Sequence, residues 1–210
     1  MSVGLRELKK LATKDALSEA ALDLAIEQGL TQVTADAIAA RAQVSTRTFH
    51  NYFAHKEAAI LFILEKGVQG VIESFTHRDA GEPVLDSFEA LFMELVEAKS
   101  QFDRMVAVTR LMAEHATLFV HHVAVYDTTS DALLAEIGRR TGTDPAVDMY
   151  PRLVFQCANA VVRAATELHI NTNLGTDARR TAMVSAVHDG FAQLRLGLPQ
   201  PVCDTGEKEL

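Results

Sequence analysis

No proline interrupts this chain before Pro83, and no stretch sustains an alternation of apolar and polar residues. Apolar residues instead recur at spacings of three and four almost everywhere, the repeat of an α-helix that buries one face. Proline removes a backbone donor and clashes with the preceding turn, so its absence leaves long helices free to form. The pattern predicts an all-α protein. At 210 residues the chain is long enough for one sizeable core, or one core with a small appended module. No apolar run approaches the ~18 residues of a membrane span. The first residues lack the apolar stretch of a secretory signal. Cys157 and Cys203 show no metal spacing, and two isolated thiols suit a reducing cytoplasm. The expectation is a cytoplasmic protein with no membrane partner.

Taken in order, the first helix is predicted over 5–28, with Leu17, Ala20, Ala21 and Leu24 as its apolar stripe and Gly29 as its stop. Thr34 caps a second helix over 35–42, with Asp36 in its first turn. Gln43-Val44 makes a short turn. A fourth helix over 56–76 is apolar round much of its circumference and should touch both the small N-terminal unit and the larger C-terminal part. Gly67 and Gly70 lower its propensity by about 1 kcal/mol each relative to alanine, and packing is the preferred reading of both. His77 to Pro83 is a polar break and the best domain boundary. Further helices are predicted over 83–99, 102–113 and 117–141. Within the last of these, Asp127-Thr128-Thr129-Ser130-Asp131 is either a surface face or a break. Asp144-Pro145 reads as a cap plus first-turn proline, and near Pro151 the helix either starts or is kinked. The segment 153–170 is apolar nearly all round, and a final helix is predicted over 177–196. The two long terminal helices carry more apolar surface than one bundle buries, which suggests a second copy of the chain. Residues 199–210 should form a fraying tail.

The stretch from Val44 to Lys56 differs in character. Ser45 is a good N-cap, since its hydroxyl can accept from an orphan N–H of the first turn. Phe49 and Phe53 are four apart and fall on one face, the buried one. Thr46, Arg47, Thr48, His50, Asn51 and Tyr52 are left outside, a helix face with donors and acceptors and no acid. The net charge of −8 argues at first against a polyanion. Residues 1–56, however, hold seven basic and six acidic side chains, and the remaining residues hold thirteen and twenty-two. The acidity belongs to the larger part, and the first part can approach nucleic acid. Two short helices, a tight turn and the small Ala39 at their crossing make a helix-turn-helix pattern, or an ordinary helical corner. Gln43 stands where a glycine is often found.

Residues 13–65 resemble the DNA-binding domain of the TetR (tetracycline-repressor-like) family of bacterial transcription regulators. Ala20-Ala21, Gly29, Val33-Thr34, Ile38-Ala39, Ala42, Val44-Ser45, Thr48-Phe49, Tyr52-Phe53 and Lys56-Glu57 keep the family's order and spacing. The wording Arg47-Thr48-Phe49, Asn51-Tyr52-Phe53 and Lys56-Glu57-Ala58-Ala59 is similar to a branch common in actinobacteria, and within it to regulators near mycofactocin genes. The resemblance implies about nine helices: a three-helix helix-turn-helix DNA-binding domain over 1–55, a linking helix over 56–78 and a ligand-binding and dimerisation bundle over 79–198. It implies that Thr34 bonds a phosphate from the second helix, and that Thr46, Arg47 and Thr48 enter the major groove. His50, Asn51 and Tyr52 would contact backbone or base edges, and Lys56 would neutralise a phosphate. Ser45 belongs to the same expected DNA-binding set. The implied partners are a double-stranded operator, a small-molecule effector, and a second copy paired through the last two long helices.

Other chemistry finds little support. There is no Gly-rich phosphate loop, no G-x-S-x-G and no H-E-x-x-H, so neither an enzyme nor a cofactor is expected. Glu114, His115, His121 and His122 are the nearest approach to a metal cluster. They are read as surface or pocket residues, because ligand geometry is demanding. An effector site in a helical bundle is mostly apolar with a few polar anchors. Its candidates are Phe92, Met105, Met112, Phe119, His122, Tyr126, Phe155, Gln156 and Asn159, with Phe75 and Phe102 beside them. Each apolar member competes with a plain core role, whereas Gln156 and Asn159 interrupt an apolar helix and face either a pocket or the dimer seam. Arg110 and Arg163 are candidates to pair an acidic ligand. The first function expected is a homodimeric, ligand-responsive regulator, most naturally a repressor. The alternative is a helical small-molecule binding or dimerisation protein without sequence-specific DNA binding.

Overall fold

The structure, a computed structural model, describes residues 4–199 except 170, 171 and 173, and within 119–129 the backbone alone. Nine α-helices and one 3-10 turn account for its regular elements, with no strand among the described residues. Helix α1 (Leu5–Gln28) buries Leu17, Ala20, Ala21, Leu22, Leu24 and Ala25. It stops at Gly29, whose φ of +83° is open to glycine at little cost. A 3-10 turn (Leu30–Gln32) leads to α2 (Ala35–Arg41), where the Thr34 hydroxyl accepts from the N–H of Ala37 at 3.2 Å. Helix α3 (Thr46–Tyr52) comes after a turn in which Gln43 adopts φ +57°, the left-handed region a glycine usually fills. The glycine that the sequence lacks at this point is thus replaced by strain.

Helix α4 (Lys56–His77) belongs to two cores at once. Its first half supplies Ala59, Ile60, Leu61 and Phe62 to a cluster with α1, α2 and α3. Its last turns supply Phe75 to a second cluster in the C-terminal part, here the body, as against the N-terminal head of α1 to α3. The small Ala59 lets α1 approach closely, and the buried Ser18 hydroxyl of α1 donates to the Ala59 carbonyl at 2.7 Å. The first cluster also takes in Val108, Leu111 and Leu118, so body residues close one side of the head. At Gly67 and Gly70 an added Cβ would meet no described atom within 4 Å. The packing role expected for these glycines is therefore not seen.

The break after α4 is a clasp. Arg78 pairs bidentately with Glu82 at 2.6 and 2.7 Å, and Ser87 donates to Glu82 at 2.7 Å. Arg140 lies over the Phe75 ring at 4.5 Å and donates to the carbonyls of Asp79 and Glu82 at 2.9 and 2.6 Å. Helix α5 (Val84–Glu97) has Pro83 as its N-cap, so it starts one residue later and ends two residues earlier than predicted. A single residue, Ala98, separates it from α6 (Lys99–Glu114), which begins three residues earlier than predicted. No glycine or proline marks that corner. Helix α7 (Ala116–Thr141) runs unbroken through 127–131, so the polar segment there is a helical stretch and no break.

Asp144 does not cap a helix through Pro145. Its carbonyl accepts from the N–H groups of Val147 and Asp148 at 3.1 and 2.7 Å, a single turn that is not continued. Helix α8 (Met149–His169) starts afterwards, with Pro151 as its third residue. No intrahelical partner is needed from a backbone donor at that point, so the proline opens the helix without a kink. Helix α9 (Thr176–Arg195) packs on α8 so closely that a Cβ on Gly190 would stand 2.6 Å from a Val161 methyl. The second core joins α5, α8 and α9 to the ends of α4, α6 and α7, with Phe75 stacked on Phe88 at 5.1 Å.

Candidate nucleic-acid interface

Helix α3 is seated by its aromatics. Phe49 and Phe53 are buried and tilted at 6.0 Å between centroids, and Phe53 meets Phe62 of α4 edge-on at 5.9 Å. Burial of one such side chain contributes about 1.5–3 kcal/mol, so this face decides which way the helix points. The Ser45 hydroxyl accepts from the N–H of Thr48 at 3.1 Å and lies 2.8 Å from the Thr48 hydroxyl. Cap and aromatic anchor together present the opposite face to solvent.

The nine expected DNA-binding residues do not share one situation. Arg47, His50 and Asn51 are exposed. Among the described residues the side chains of Arg47 and Asn51 make no hydrogen bond or ion pair, and His50 only meets the edge of Phe49. Thr34 and Ser45 serve as exposed caps. Tyr52 is half-buried and leans on the head core. The Thr46 hydroxyl donates to the Asp36 carboxylate of α2 at 2.6 Å. An acid therefore stands beside the N-terminus of α3, although α3 itself holds none. The sequence marks Asp36 only as a first-turn residue of α2, and no local signal ties it to Thr46.

Lys56 departs furthest from expectation. Its ammonium group donates to the carbonyls of Leu30 at 2.7 Å, Val33 at 2.9 Å and Thr31 at 3.4 Å. An ammonium group has three donors. All three point at the 3-10 turn, and none remains for a phosphate. Lys14 is diverted in the same way: it sits 3.7 Å from the centroid of Phe62 and 5.5 Å from that of Phe53, a cation over the aromatic anchor. Arg6, Lys9 and Lys10 stay exposed on the first turns of α1.

The expected effector residues are scattered. Phe92 and Phe155 are buried in the second core, and Met105 packs against it. Met112 leans on the first core instead. Gln156 is exposed on α8, and Asn159 is half-buried. Phe119, His122 and Tyr126 lie outside the residues whose side chains are described, and Cys203 lies outside the described residues altogether. No helix of the described residues is long and apolar enough to cross a membrane.

Comparison with known proteins agrees with this architecture along nearly the whole chain. The pattern described as "Bacterial regulatory proteins, tetR family" matches residues 17–61, and that described as "MftR C-terminal domain" matches residues 82–199. The HTH-type transcriptional regulator TcmR of Streptomyces glaucescens is 27% identical over 192 residues, covering 88% of this chain and 85% of its own. A TetR-family transcriptional regulator from Syntrophomonas wolfei superposes with a TM-score of 0.63 at 21% identity, over 90% of this chain and 98% of its own. The fatty acid degradation regulator FadR of Bacillus halodurans superposes with a TM-score of 0.59 at 18% identity, over 96% and 100%.

Proposed function

Because the chain belongs to the TetR family of bacterial transcription regulators, we propose that it represses by gripping a near-palindromic operator as a homodimer. A small apolar or amphipathic effector in the body releases it. The free face of α3 carries this reading. Arg47 stands one residue inside the helix start, exposed and unpaired among the described residues, where its fork can meet O6 and N7 of guanine. His50 and Asn51 flank it. Thr46 and Thr48, held by Asp36 and Ser45, offer methyl groups, and Thr34 and Ser45 border the phosphate side. Lys56 acts behind this face by holding the 3-10 turn.

Dimerisation is assigned to α8 and α9. Leu153, Ala160 and Ala164 of α8 and Ala178 and Ser185 of α9 are exposed, and four of these five side chains are small enough for helices to approach closely. Two α3 helices about 34 Å apart would then meet successive major grooves. The effector is read as parting the second core around Phe92, Met105 and Phe155. It acts only through a difference in its affinity for the DNA-competent and released states.

Selection from random duplexes by the full-length protein tests the reading. One enriched near-palindromic sequence is expected, and failure to enrich any sequence would overturn it. Replacing Arg47 by alanine should weaken the enriched site by about 1–3 kcal/mol and relax preference at one base pair of each half-site. Sedimentation of Ala164→Glu should return monomer where the wild type is dimeric. Dimers in both would move the interface elsewhere.

A further inference from the structure

We propose that the seam between head and body holds a cleft for a small amphipathic acid, separate from the second core. The cleft has a volume of about 470 Å³ and lies between the end of α1, the length of α6 and the first turn of α9. That volume falls within the roughly 300–1,000 Å³ typical of small-molecule sites. Ala25, Ile26 and Leu30 line the head side, Phe102 and Val106 line the α6 side, and Arg179 enters from α9. Ile26, on this wall, is 60% exposed. Burying such apolar area is favourable for any occupant with an apolar body.

Arg179 supplies the polar end. Its Nη2 donates to the carbonyls of Thr172 at 3.0 Å and Leu174 at 2.9 Å, so the guanidinium is held before any ligand arrives. Its Nε is buried without an acceptor, and among the described residues no carboxylate is paired with it. A fixed cation met, among the described residues, by neutral carbonyls favours an anion, and a charge-assisted hydrogen bond is about twice as strong as a neutral one. The other charged lining residues, Asp103, Glu114 and Arg110, sum to one negative charge, so the preference for an anion rests on Arg179 being held in place while that negative charge is screened. Asp103 and Arg110 oppose one another in sign on α6, and Glu114 is exposed, where solvent screens it. His115 completes the polar rim.

The location makes an occupant consequential. The carbonyl of Leu30, a wall residue, accepts from Lys56, the first residue of α4 and four residues beyond the end of α3. Arg104 of α6 pairs across the same seam with Glu19 and Asp23 of α1. The cleft thus neighbours these contacts: Leu30 lines it, and its lining residues Ala25 and Asp103 lie within two residues of Asp23 and Arg104.

Titration calorimetry on the full-length protein without DNA tests the site independently of the operator reading. The probes are 1-naphthaleneacetate and its neutral counterpart 2-(1-naphthyl)ethanol. The acid should bind at least about tenfold more tightly than the alcohol, the size of one charge-assisted contact. Arg179→Met should remove that preference. Ile26→Glu, on an exposed position where folding is not at stake, should weaken the acid at least about tenfold by placing a like charge on the wall. The proposal is overturned if the wild type does not bind the acid at millimolar concentration. It is overturned equally if acid and alcohol bind alike, or if Ile26→Glu binds the acid as the wild type does.

Discussion

Replacing Lys56 by methionine separates two roles that are indistinguishable in the sequence. Methionine keeps the apolar stem and removes the ammonium group. A lysine that neutralises a phosphate sits on a solvated surface, where such a change leaves stability within about 0.5 kcal/mol. The geometry requires a different outcome. Two of the three contacts are short, 2.7 Å to Leu30 and 2.9 Å to Val33, and both carbonyls are partly buried, whereas the contact to Thr31 is long and exposed. Hydrogen bonds from a charged donor contribute about 1.5–3 kcal/mol each. Partial exposure places both at the lower end, and the Leu30 carbonyl also keeps a bond from the N–H of Val33 at 3.3 Å. The expected loss is about 2–4 kcal/mol, or a fall in Tm of roughly 5–12 °C for a chain of this size. Calorimetric melting measures it. The salt dependence of operator binding supplies the second axis, because loss of one phosphate contact lowers the slope by about 1. The reasoning is refuted if Lys56→Met melts within about 1 °C of wild type while its salt slope drops by about one contact.

Three further outcomes are expected. Glu82 is held at a pKa of about 2, against an ordinary 4.5, chiefly by its hydrogen bond from Arg78 and then by that from Ser87. A depressed carboxyl stabilises the fold fully above the ordinary value and loses that contribution as pH falls toward the depressed one. Between pH 6 and pH 3, wild type should therefore lose about 1–2 kcal/mol more than Glu82→Gln in urea unfolding, a figure already reduced for solvent screening. Gln43→Gly should raise stability by up to about 1 kcal/mol, because it relieves a left-handed glutamine, and Gln43→Val should lower it by about 1–2 kcal/mol; equal melting of all three would refute the strain. Gly67→Ala and Gly70→Ala should each stabilise by about 0.5–1 kcal/mol, since the added methyl meets no described atom; a loss in either would reveal a contact at that site.

The periodicity of apolar residues locates α1 at its observed ends and α4 to within one residue, because both helices bury a continuous stripe and meet a clear stop. The Ser45 cap and the Phe49–Phe53 face are equally legible, since their signals lie within one turn. Long-range partners leave no local trace. Nothing near Lys56 announces the carbonyls of the 3-10 turn, more than twenty residues earlier. Nothing near Thr46 announces Asp36, and nothing near Lys14 announces Phe62. Corners without glycine or proline escape sequence reading for a related reason. Ala98, itself exposed, turns the chain between α5 and α6 with an ordinary side chain, between the buried Val96 and Phe102. At Asp144-Pro145 the local signal is real but truncated, because Asp148 accepts from the N–H of Asp144 at 2.7 Å and folds the turn back on itself.

The proposed DNA-facing side of α3 depends on this unreadable layer. Arg47 and Asn51 make no side-chain hydrogen bond or ion pair among the described residues, His50 meets only the edge of Phe49, and the neighbouring lysines are occupied elsewhere: Lys14 on the aromatic anchor and Lys56 on the 3-10 turn. Lys56 is also the first residue of α4, and α4 carries Phe75 into the second core, where Arg140 and the Arg78–Glu82 pair close over its end. A displacement of the body end of α4 would reach the head along this helix, whose middle holds two glycines in open space. A second route runs across the Arg104 pairs from α6 to α1. On the proposed dimeric reading two α3 helices bind one operator only at the right separation, so a shift of either route would change affinity without touching the side chains proposed to face DNA.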